Sequence, residues 1–187
     1  MANQTTPSFT RRQFVIGSGA VGLASLFSSC QSFAASLSTR ERSLVLFNGP
    51  TGEWFKEPYW IEGQYLPDAL KRINHILRDK INGKVSKIDQ RLLDLMHAMQ
   101  HKIGAKKPME IICGYRSQET NQHLRKISTG VAKNSLHMTG RAVDIRMEGF
   151  PLSKFRDLAK SLKAGGVGYY PQSNFIHVDV RPQPYYW

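Results

Sequence analysis

Apolar and polar residues alternate in two segments of the second half of the chain, 142–147 and 175–180. Such alternation predicts strands with one face in the core and one polar face. Apolar runs at 43–47 and 109–113 predict two further strands, and the turn at 48–52 predicts a hairpin that returns through 53–55. The glycine-rich run 165–170 predicts a strand joined by the loop 171–174 to segment 175–180.

Four segments show helical spacing of their apolar residues instead. These are a stretch from Pro67 to about Gly83, and the stretches 89–103, 118–127 and 152–162. Strands and helices do not alternate strictly. We therefore expect an α+β fold with a central antiparallel sheet and helices packed around it, in one domain spanning residues 35–187.

The alternation also assigns side chains to faces. On the first strand Asp144 shares a face with Ala142 and Arg146, and on the second His177 shares a face with Asp179. The intervening aliphatic residues point to the core. Asp144 and His177 are therefore expected on the polar face of half-buried strands.

Lysine and arginine outnumber aspartate and glutamate by 26 to 14, which gives a formal net charge of +12. This surplus favours an anionic partner such as nucleic acid, an acidic lipid surface or a carboxylate-rich cell wall. The basic residues are scattered, and no nucleic-acid-binding motif accompanies them. We therefore expect no nucleic-acid partner.

The first 34 residues resemble an export signal of the twin-arginine type. Arg11 and Arg12 precede an uncharged apolar segment and then a small-residue patch that ends near Ala34. Cleavage after Ala34 would release the protein into the periplasm. Cys30 offers an alternative as a lipid attachment site, and apart from the signal this would be its one link to the membrane.

Three other features carry weaker signals. Cys113 lies in an apolar run and is expected to be a small buried hydrophobic residue. His97 and His101 are four residues apart on one helix, but Ala98 stands where a zincin has its glutamate, so both are expected to be ordinary helix histidines. The glycines at 165–168 follow a helix and lack a lysine-serine pair, which excludes a phosphate loop.

The segment S-L-H-M-T-G-R-A-V-D at 135–144 combines His137 with Asp144, and His177 follows in F-I-H-V-D-V. Two neutral imidazoles and one carboxylate are the ligand count of a catalytic zinc site rather than a structural one. Zinc held in this way promotes hydrolysis of carbonyl compounds. We therefore expect one Zn²⁺ per chain.

These motifs resemble the D-Ala-D-Ala metallopeptidase and hedgehog-like superfamily of zinc hydrolases, which shares S-x-H-x-x-G-x-A-x-D and a distant H-x-D. The resemblance is closer to its murein endopeptidases of the MepK type. It rests on G-Y-R-S at 114–117, the run 130–144, A-G-G-V-G-Y-Y-P at 164–171 and S-N-F-I-H-V-D at 173–179, and it covers the chain from about Leu44 onwards.

The resemblance implies a hedgehog/D-Ala-D-Ala-peptidase-like fold with His137, Asp144 and His177 as zinc ligands. It places Arg116 beside the metal, where it holds a substrate carboxylate or the oxyanion formed on attack. The superfamily's dipeptidases have a glutamate shortly before the last histidine, but residues 171–176 contain no acid. Asp179 is the nearest candidate for the general base, or else it orients His177.

Further assignments from the resemblance concern the cleft and the substrate. Ser135 is expected to support the site, and Tyr169 or Tyr170 to line the cleft. The implied activity is hydrolysis of peptidoglycan peptide cross-links in the periplasm, notably those between two diaminopimelate residues, by a monomer that binds stem peptides. The alternatives are a non-catalytic wall-binding module and a D,D- or L,D-carboxypeptidase acting on uncross-linked stems.

Overall fold

The computed structural model describes residues 40–104 and 107–187 of the chain. The twin-arginine segment, Cys30 and the cleavage position after Ala34 lie outside these residues. The elements in chain order are β1 (Glu41–Asn48), β2 (Glu53–Ile61), β3 (Gln64–Tyr65), α1 (Pro67–Ile76), α2 (Gln90–Ile103), β4 (Met109–Cys113), α3 (Gln118–Ile127), a 3₁₀ helix (Leu136–Thr139), β5 (Ala142–Met147), α4 (Leu152–Leu162), β6 (Gly166–Tyr170), β7 (Phe175–Asp179) and β8 (Tyr185–Tyr186).

The strands form one sheet in the order β3-β2-β1-β4-β5-β7-β6-β8. Neighbouring strands are antiparallel except for β1 with β4 and β6 with β8, which are parallel. The sheet is therefore mixed rather than wholly antiparallel. The chain reaches β4 from the β1–β2–β3 meander through α1 and α2, and such a long crossover allows β4 to run parallel to β1. The predicted α+β class is confirmed.

Local sequence explains where the helices begin and end. Asp89 caps α2 by accepting a hydrogen bond from a backbone amide of the first turn, and Gly104 ends this helix in the left-handed conformation. Ser117 caps α3 in the same way. Helix α1 ends at Ile76, earlier than predicted, because the carbonyl of Leu77 accepts the backbone amide of Tyr115 at 2.7 Å instead of continuing the helix.

The hydrophobic core lies between the sheet and three helices. Helix α1 packs against β2, α2 against β1, and α4 against β5, β6 and β7. The aliphatic residues of β5 and β7 belong to this core, namely Val143, Ile145, Ile176 and Val178. Because side chains alternate along a strand, Asp144 and His177 lie on the other face of the sheet.

The parts of the chain that the structure describes contain no helix that is both long and apolar enough to cross a membrane.

Candidate metal centre

Strands β5 and β7 bring Asp144 and His177 together across the sheet. The two residues are direct partners in the antiparallel register, and Ala142 pairs with Asp179 two positions along. Directly paired residues on one face of a sheet place their side chains side by side. The strand pairing alone therefore makes neighbours of two predicted ligands that are far apart in the sequence.

His137 approaches them from the 3₁₀ helix that precedes β5. Ser135 caps this short helix by accepting a hydrogen bond from the backbone amide of His137 at 3.4 Å. Gly140 ends the helix with φ +64°, and a Cβ at this position would collide with the carbonyl of Lys87. A glycine is thus required both for the left-handed conformation and for the close approach of the two chain segments.

The three predicted ligands converge on one point. Nε2 of His137 lies 3.2 Å from Nδ1 of His177 and 3.3 Å from Oδ1 of Asp144, and that oxygen lies 2.9 Å from Nδ1 of His177. All three residues are buried, with 3%, 9% and 7% of His137, His177 and Asp144 exposed. The expectation that β5 and β7 are half-buried strands was wrong, because the segment before β5 and residues after β7 also cover their polar face.

His137 and His177 each have one ring nitrogen that faces away from the other predicted ligands, and the contact of that nitrogen determines which nitrogen of the ring carries the hydrogen. Nδ1 of His137 lies 2.8 Å from the carbonyl oxygen of Gly114, and Nε2 of His177 lies 3.1 Å from Oδ2 of Asp179. A carbonyl and a carboxylate can only accept, so these two nitrogens donate. In the neutral rings, Nε2 of His137 and Nδ1 of His177 therefore direct their lone pairs at each other and at Asp144.

This arrangement fits a divalent metal ion. Three electron-rich atoms at such short range repel one another unless a proton or a metal cation lies between them. Ligand atoms about 2.0–2.1 Å from a tetrahedral zinc ion lie about 3.3 Å apart, which matches the observed spacing of 2.9 to 3.3 Å. The structure therefore brings together the predicted ligands in a geometry that suits zinc.

Cys113 also lies at this centre, although it was expected only to be a small buried hydrophobic residue. Its sulfur, a ring nitrogen of His137 and a carboxylate oxygen of Asp144 are within 4.8 Å of one another, a group that could itself hold a metal ion. Nη2 of Arg116 donates to the sulfur at 3.4 Å. Cys113 pairs with Asp144 across β4 and β5, so the strand register was the signal that could have located it.

Charge coupling shifts the pKa values of these groups. Burial alone would raise the pKa of the Asp144 carboxyl, but the two imidazoles lower it well below its usual range. Burial opposes the charged form of His137, yet the Asp144 carboxylate raises the pKa of this imidazole. Cys113 is half-buried; burial raises the pKa of its thiol, but the contact with His137 lowers this pKa below the ordinary value. The centre thus favours a positive charge between its donors.

Asp179 is fully buried beneath His177 and faces its outer nitrogen. Its Oδ1 accepts the backbone amides of Gly166 at 2.9 Å and Arg181 at 3.0 Å, and its Oδ2 accepts Nη2 of Arg181 at 2.6 Å. Burial raises the pKa of this carboxyl, but the hydrogen bonds from His177 and Arg181 lower it well below the usual value. Asp179 is therefore a fixed anion on the far side of His177 from the other two predicted ligands.

Arg116, which the resemblance places beside the metal, lies at the edge of the centre. Its Nη2 is 3.9 Å from Oδ2 of Asp144, and its Nη1 donates to Oδ1 of Asn121 at 3.3 Å. Its buried Nε has no hydrogen-bond partner among the described residues. The guanidinium is thus only partly neutralised and can accept a further anionic group.

A cavity of about 390 Å³ opens over the metal centre. Arg116, Ser135 and Tyr170 line it, together with the three predicted ligands. Tyr169 does not, because alternation along β6 turns its ring towards α4, where the guanidinium of Arg156 lies 4.5 Å above it. Of the two tyrosines expected in the cleft, only Tyr170 is placed there.

Other residues that were not predicted as site residues also line the cavity, among them Phe175, Arg181 and Trp187. The indole of Trp187 lies 5.3 Å from the imidazole of His177, measured between ring centroids. Nothing in the local pattern of residues 180–187 predicted this contact, because it depends on the pairing of β8 with β6.

The two helix histidines lie outside the metal centre. On the buried helix α2, Nδ1 of His97 is 2.9 Å from the carbonyl of Ser43, and its ring stacks on that of His101 at 5.8 Å. Burial lowers the pKa of His97. A neutral histidine bonded to a backbone carbonyl has a packing role, in agreement with the expectation.

Comparison with known proteins agrees with this geometry. The chain is 41% identical over 171 residues to the protein named Peptidoglycan L,D-endopeptidase MepK from Escherichia coli (strain K12) and to its namesake from Shigella flexneri, covering 91% of this chain and 94% of each relative. It is 39% identical over 173 residues to the Probable peptidoglycan L,D-endopeptidase MepK of Haemophilus influenzae, covering 92% of both chains. A family model described as Peptidoglycan L,D-endopeptidase MepK matches residues 36–185. The chain therefore belongs to the peptidoglycan L,D-endopeptidase MepK family.

Proposed function

We propose that this protein is a zinc-dependent peptidoglycan endopeptidase that hydrolyses peptide cross-links, including those between two diaminopimelate residues. The observation that carries the proposal is the convergence of three lone pairs, from His137, His177 and Asp144, at the floor of a cavity. Membership of the MepK family supports peptidoglycan peptides as the substrate class. The surplus of basic residues suits an anionic cell wall.

His137, Asp144 and His177 would hold the metal, and their donor types suit zinc better than magnesium or calcium. When bound, zinc polarises a carbonyl group and lowers the pKa of water to about 7. Each of the two imidazole ligands is oriented by a second group. Gly114 fixes the hydrogen of His137 and Asp179 fixes that of His177, so that both rings offer the correct nitrogen to the metal.

Arg116 supplies the electrostatic part of the mechanism. Its guanidinium faces the cavity beside Asp144 and is only partly satisfied by Asn121 and Cys113. It can bind a carboxylate of the stem peptide and hold the scissile bond over the centre, or stabilise the oxyanion that forms on attack. Ser135 supports this arrangement by capping the helix that carries His137.

For Asp179 we propose orientation of His177 rather than general-base catalysis. Its carboxylate is fully buried, accepts hydrogen bonds from Gly166, Arg181 and His177, and has a lowered pKa. A carboxylate with these contacts has little tendency to accept a proton from a reacting group.

The N-terminal segment supports a proposal for location. Arg11 and Arg12 with the apolar stretch that follows would direct export to the periplasm through a twin-arginine pathway, with cleavage near Ala34 or lipid attachment at Cys30. We propose that the exported protein acts there as a monomer on the stem peptides.

The test treats purified sacculi with the zinc-loaded wild type and with Asp144→Ala, and then separates the muropeptides. Loss of cross-linked dimers with the wild type alone is the expected result. Binding to sacculi without release of new amines would favour a wall-binding module. Shortened monomers beside intact dimers would favour a carboxypeptidase, and either outcome would refute the proposal.

A further inference from the structure

Three aromatic rings form one wall of the cavity. Tyr170 stacks on Phe175 with ring centroids 4.7 Å apart, and the indole nitrogen of Trp187 donates to the hydroxyl of Tyr170 at 2.8 Å. All three residues line the cavity beside the metal centre. We refer to Tyr170, Phe175 and Trp187 as the aromatic wall.

Trp187 is held in place by the main chain and by a glycine. Its amide donates to the carbonyl of Val167 at 3.2 Å, and its carbonyl accepts the amide of Tyr169 at 3.0 Å. A Cβ on Gly168 would lie 2.7 Å from the indole. The ring therefore lies directly on the backbone of β6, at the residue that pairs with His177 in the neighbouring strand.

The indole offers the cavity a carbon surface only. Its one polar group, the Nε1 hydrogen, is already bonded to Tyr170, and 42% of the residue remains exposed. Such a surface gains free energy by covering apolar groups and offers no further hydrogen bond, and the cation over the ring is supplied by the protein itself, as the guanidinium of Arg181 5.1 Å from the ring centroid. What binds against Trp187 should therefore be a hydrocarbon segment of the substrate.

Arg116 and Arg181 line the cavity. Arg181 lies 5.1 Å over the ring of Trp187 but is paired with the fully buried Asp179 at 2.6 Å, so the positive charge that is left for a ligand is that of Arg116, on the other side. Arg116 is placed next to Asp144, whereas Trp187 is 5.3 Å from His177. The cavity therefore suits a ligand with a carboxylate at one end and methylene groups at the other, on either side of the metal centre. A diamino dicarboxylic acid with an aliphatic chain between its two ends has this character.

Resting on the function proposed above, we infer that the aromatic wall, and Trp187 in particular, is a subsite for the aliphatic side chain of the cross-linking diamino acid. This subsite makes Trp187 a specificity-determining residue, which selects cross-links by the length of the hydrocarbon chain in the diamino acid.

The expected difference in affinity follows from the number of methylene groups that the indole can cover. Each buried methylene group contributes about 0.8 kcal/mol, so two of them change affinity about tenfold. The wild type should therefore bind a cross-linked peptide built on 2,6-diaminopimelate about tenfold better than the same peptide built on 2,4-diaminoglutarate, which has two fewer methylene groups.

The experiment measures kcat and KM for these two peptides with zinc-loaded wild type, Trp187→Ala and Trp187→Phe. The matched control is Trp54→Ala, which removes a half-exposed tryptophan that does not line the cavity. The wild type and Trp54→Ala should show the tenfold difference in KM, Trp187→Phe most of it, and Trp187→Ala less than a twofold difference. Bound zinc should be equal in all four proteins.

A Trp187→Ala variant that still distinguishes the two peptides tenfold would overturn the inference. So would equal losses for both peptides, because they indicate a structural role. If the wild type cleaves neither peptide, the proposed function fails. Calorimetric titration of both peptides into the wild type and Trp187→Ala then decides the inference separately, since loss of the difference in Kd in the variant supports the subsite and its persistence refutes it.

Discussion

Replacing Asp179 with asparagine tests how the metal centre is oriented. The substitution keeps the shape of the side chain but replaces one acceptor oxygen by an NH₂ group. In the wild type, one carboxylate oxygen of Asp179 accepts a hydrogen bond from His177 and the other accepts one from the amide of Gly166. Both oxygens also accept hydrogen bonds from Arg181. An asparagine cannot satisfy all these donors in either orientation of its amide.

The size of the effect follows from the tautomer of His177. If the NH₂ group faces Nε2, this nitrogen must become an acceptor, and the hydrogen moves to Nδ1. That nitrogen lies 2.9 Å from Asp144 and 3.2 Å from His137, where the metal would bind. Loss of such a supporting contact typically weakens metal binding 10- to 100-fold, about 1.4 to 2.7 kcal/mol. Buried donors left unpaired should also lower the free energy of unfolding by about 1 to 3 kcal/mol.

The assay is a competition titration with a chromophoric zinc chelator, combined with activity on muropeptide dimers at saturating zinc. Asp157→Asn serves as the control, because this carboxylate lies on the exposed side of α4. We expect weaker zinc binding by Asp179→Asn and recovery of most activity when zinc is raised. Unchanged zinc affinity together with lost activity at any zinc concentration would refute the reasoning and identify Asp179 as the general base.

Three further predictions concern the ligands and their support. His137→Ala and His177→Ala should lose stoichiometric zinc on dialysis, whereas His97→Ala should retain it; equal zinc in all three variants, measured by atomic absorption, would remove the ligand assignment. Gly140→Ala should lower the free energy of unfolding by about 2 kcal/mol or more in urea titration, because it combines a left-handed conformation with a collision against the main chain before α2. Asp79 is a buried residue that follows α1, and its carboxylate accepts the backbone amides of Ser117 at 2.7 Å and Ile81 at 2.9 Å. Burial raises the pKa of this carboxyl, but the hydrogen bonds that it accepts lower the pKa to a net value below the ordinary one. Its folded-state pKa is thus below the unfolded value of about 3.9, so its contribution is complete above about pH 4 and is lost as the pH falls through the folded value. The destabilisation by Asp79→Asn, followed by thermal unfolding, should therefore be largest near neutral pH and shrink below pH 4; a constant difference between pH 7 and pH 3 would contradict this.

Local sequence was sufficient for most elements of the fold. The strand at 109–113 and the helices at 118–127 and 152–162 have the predicted bounds, because each has a cap or a turn at its ends and one clear hydrophobic period. The two-residue strands β3 and β8 were not predicted, since a pairing so short leaves no periodic pattern. The parallel alignment of β4 with β1 was also missed, because direction depends on the path of the chain through α1 and α2.

Some residues of the candidate site could likewise be predicted from the sequence, and others could not. His137, Asp144 and His177 could be chosen from residue type and strand alternation, and Arg116 from the resemblance to the family. The positions of Cys113 and Trp187 could not, because each depends on which strand lies next to which. Burial of the centre was underestimated for a related reason: alternation describes one strand, whereas burial depends on the segments that cover it.

Asp144 and His177 are direct partners across β5 and β7, so metal binding depends on the correct alignment of these two strands. A slip of one residue would turn His177 to the face covered by α4 and separate it from the other donors. Only the correctly aligned sheet could then bind the ion. At a free zinc concentration one hundred times the Kd, this binding would favour the native alignment by about 2.7 kcal/mol over every shifted one. A bound zinc ion would thus favour the correct alignment of β5 and β7 as well as serve the proposed hydrolysis.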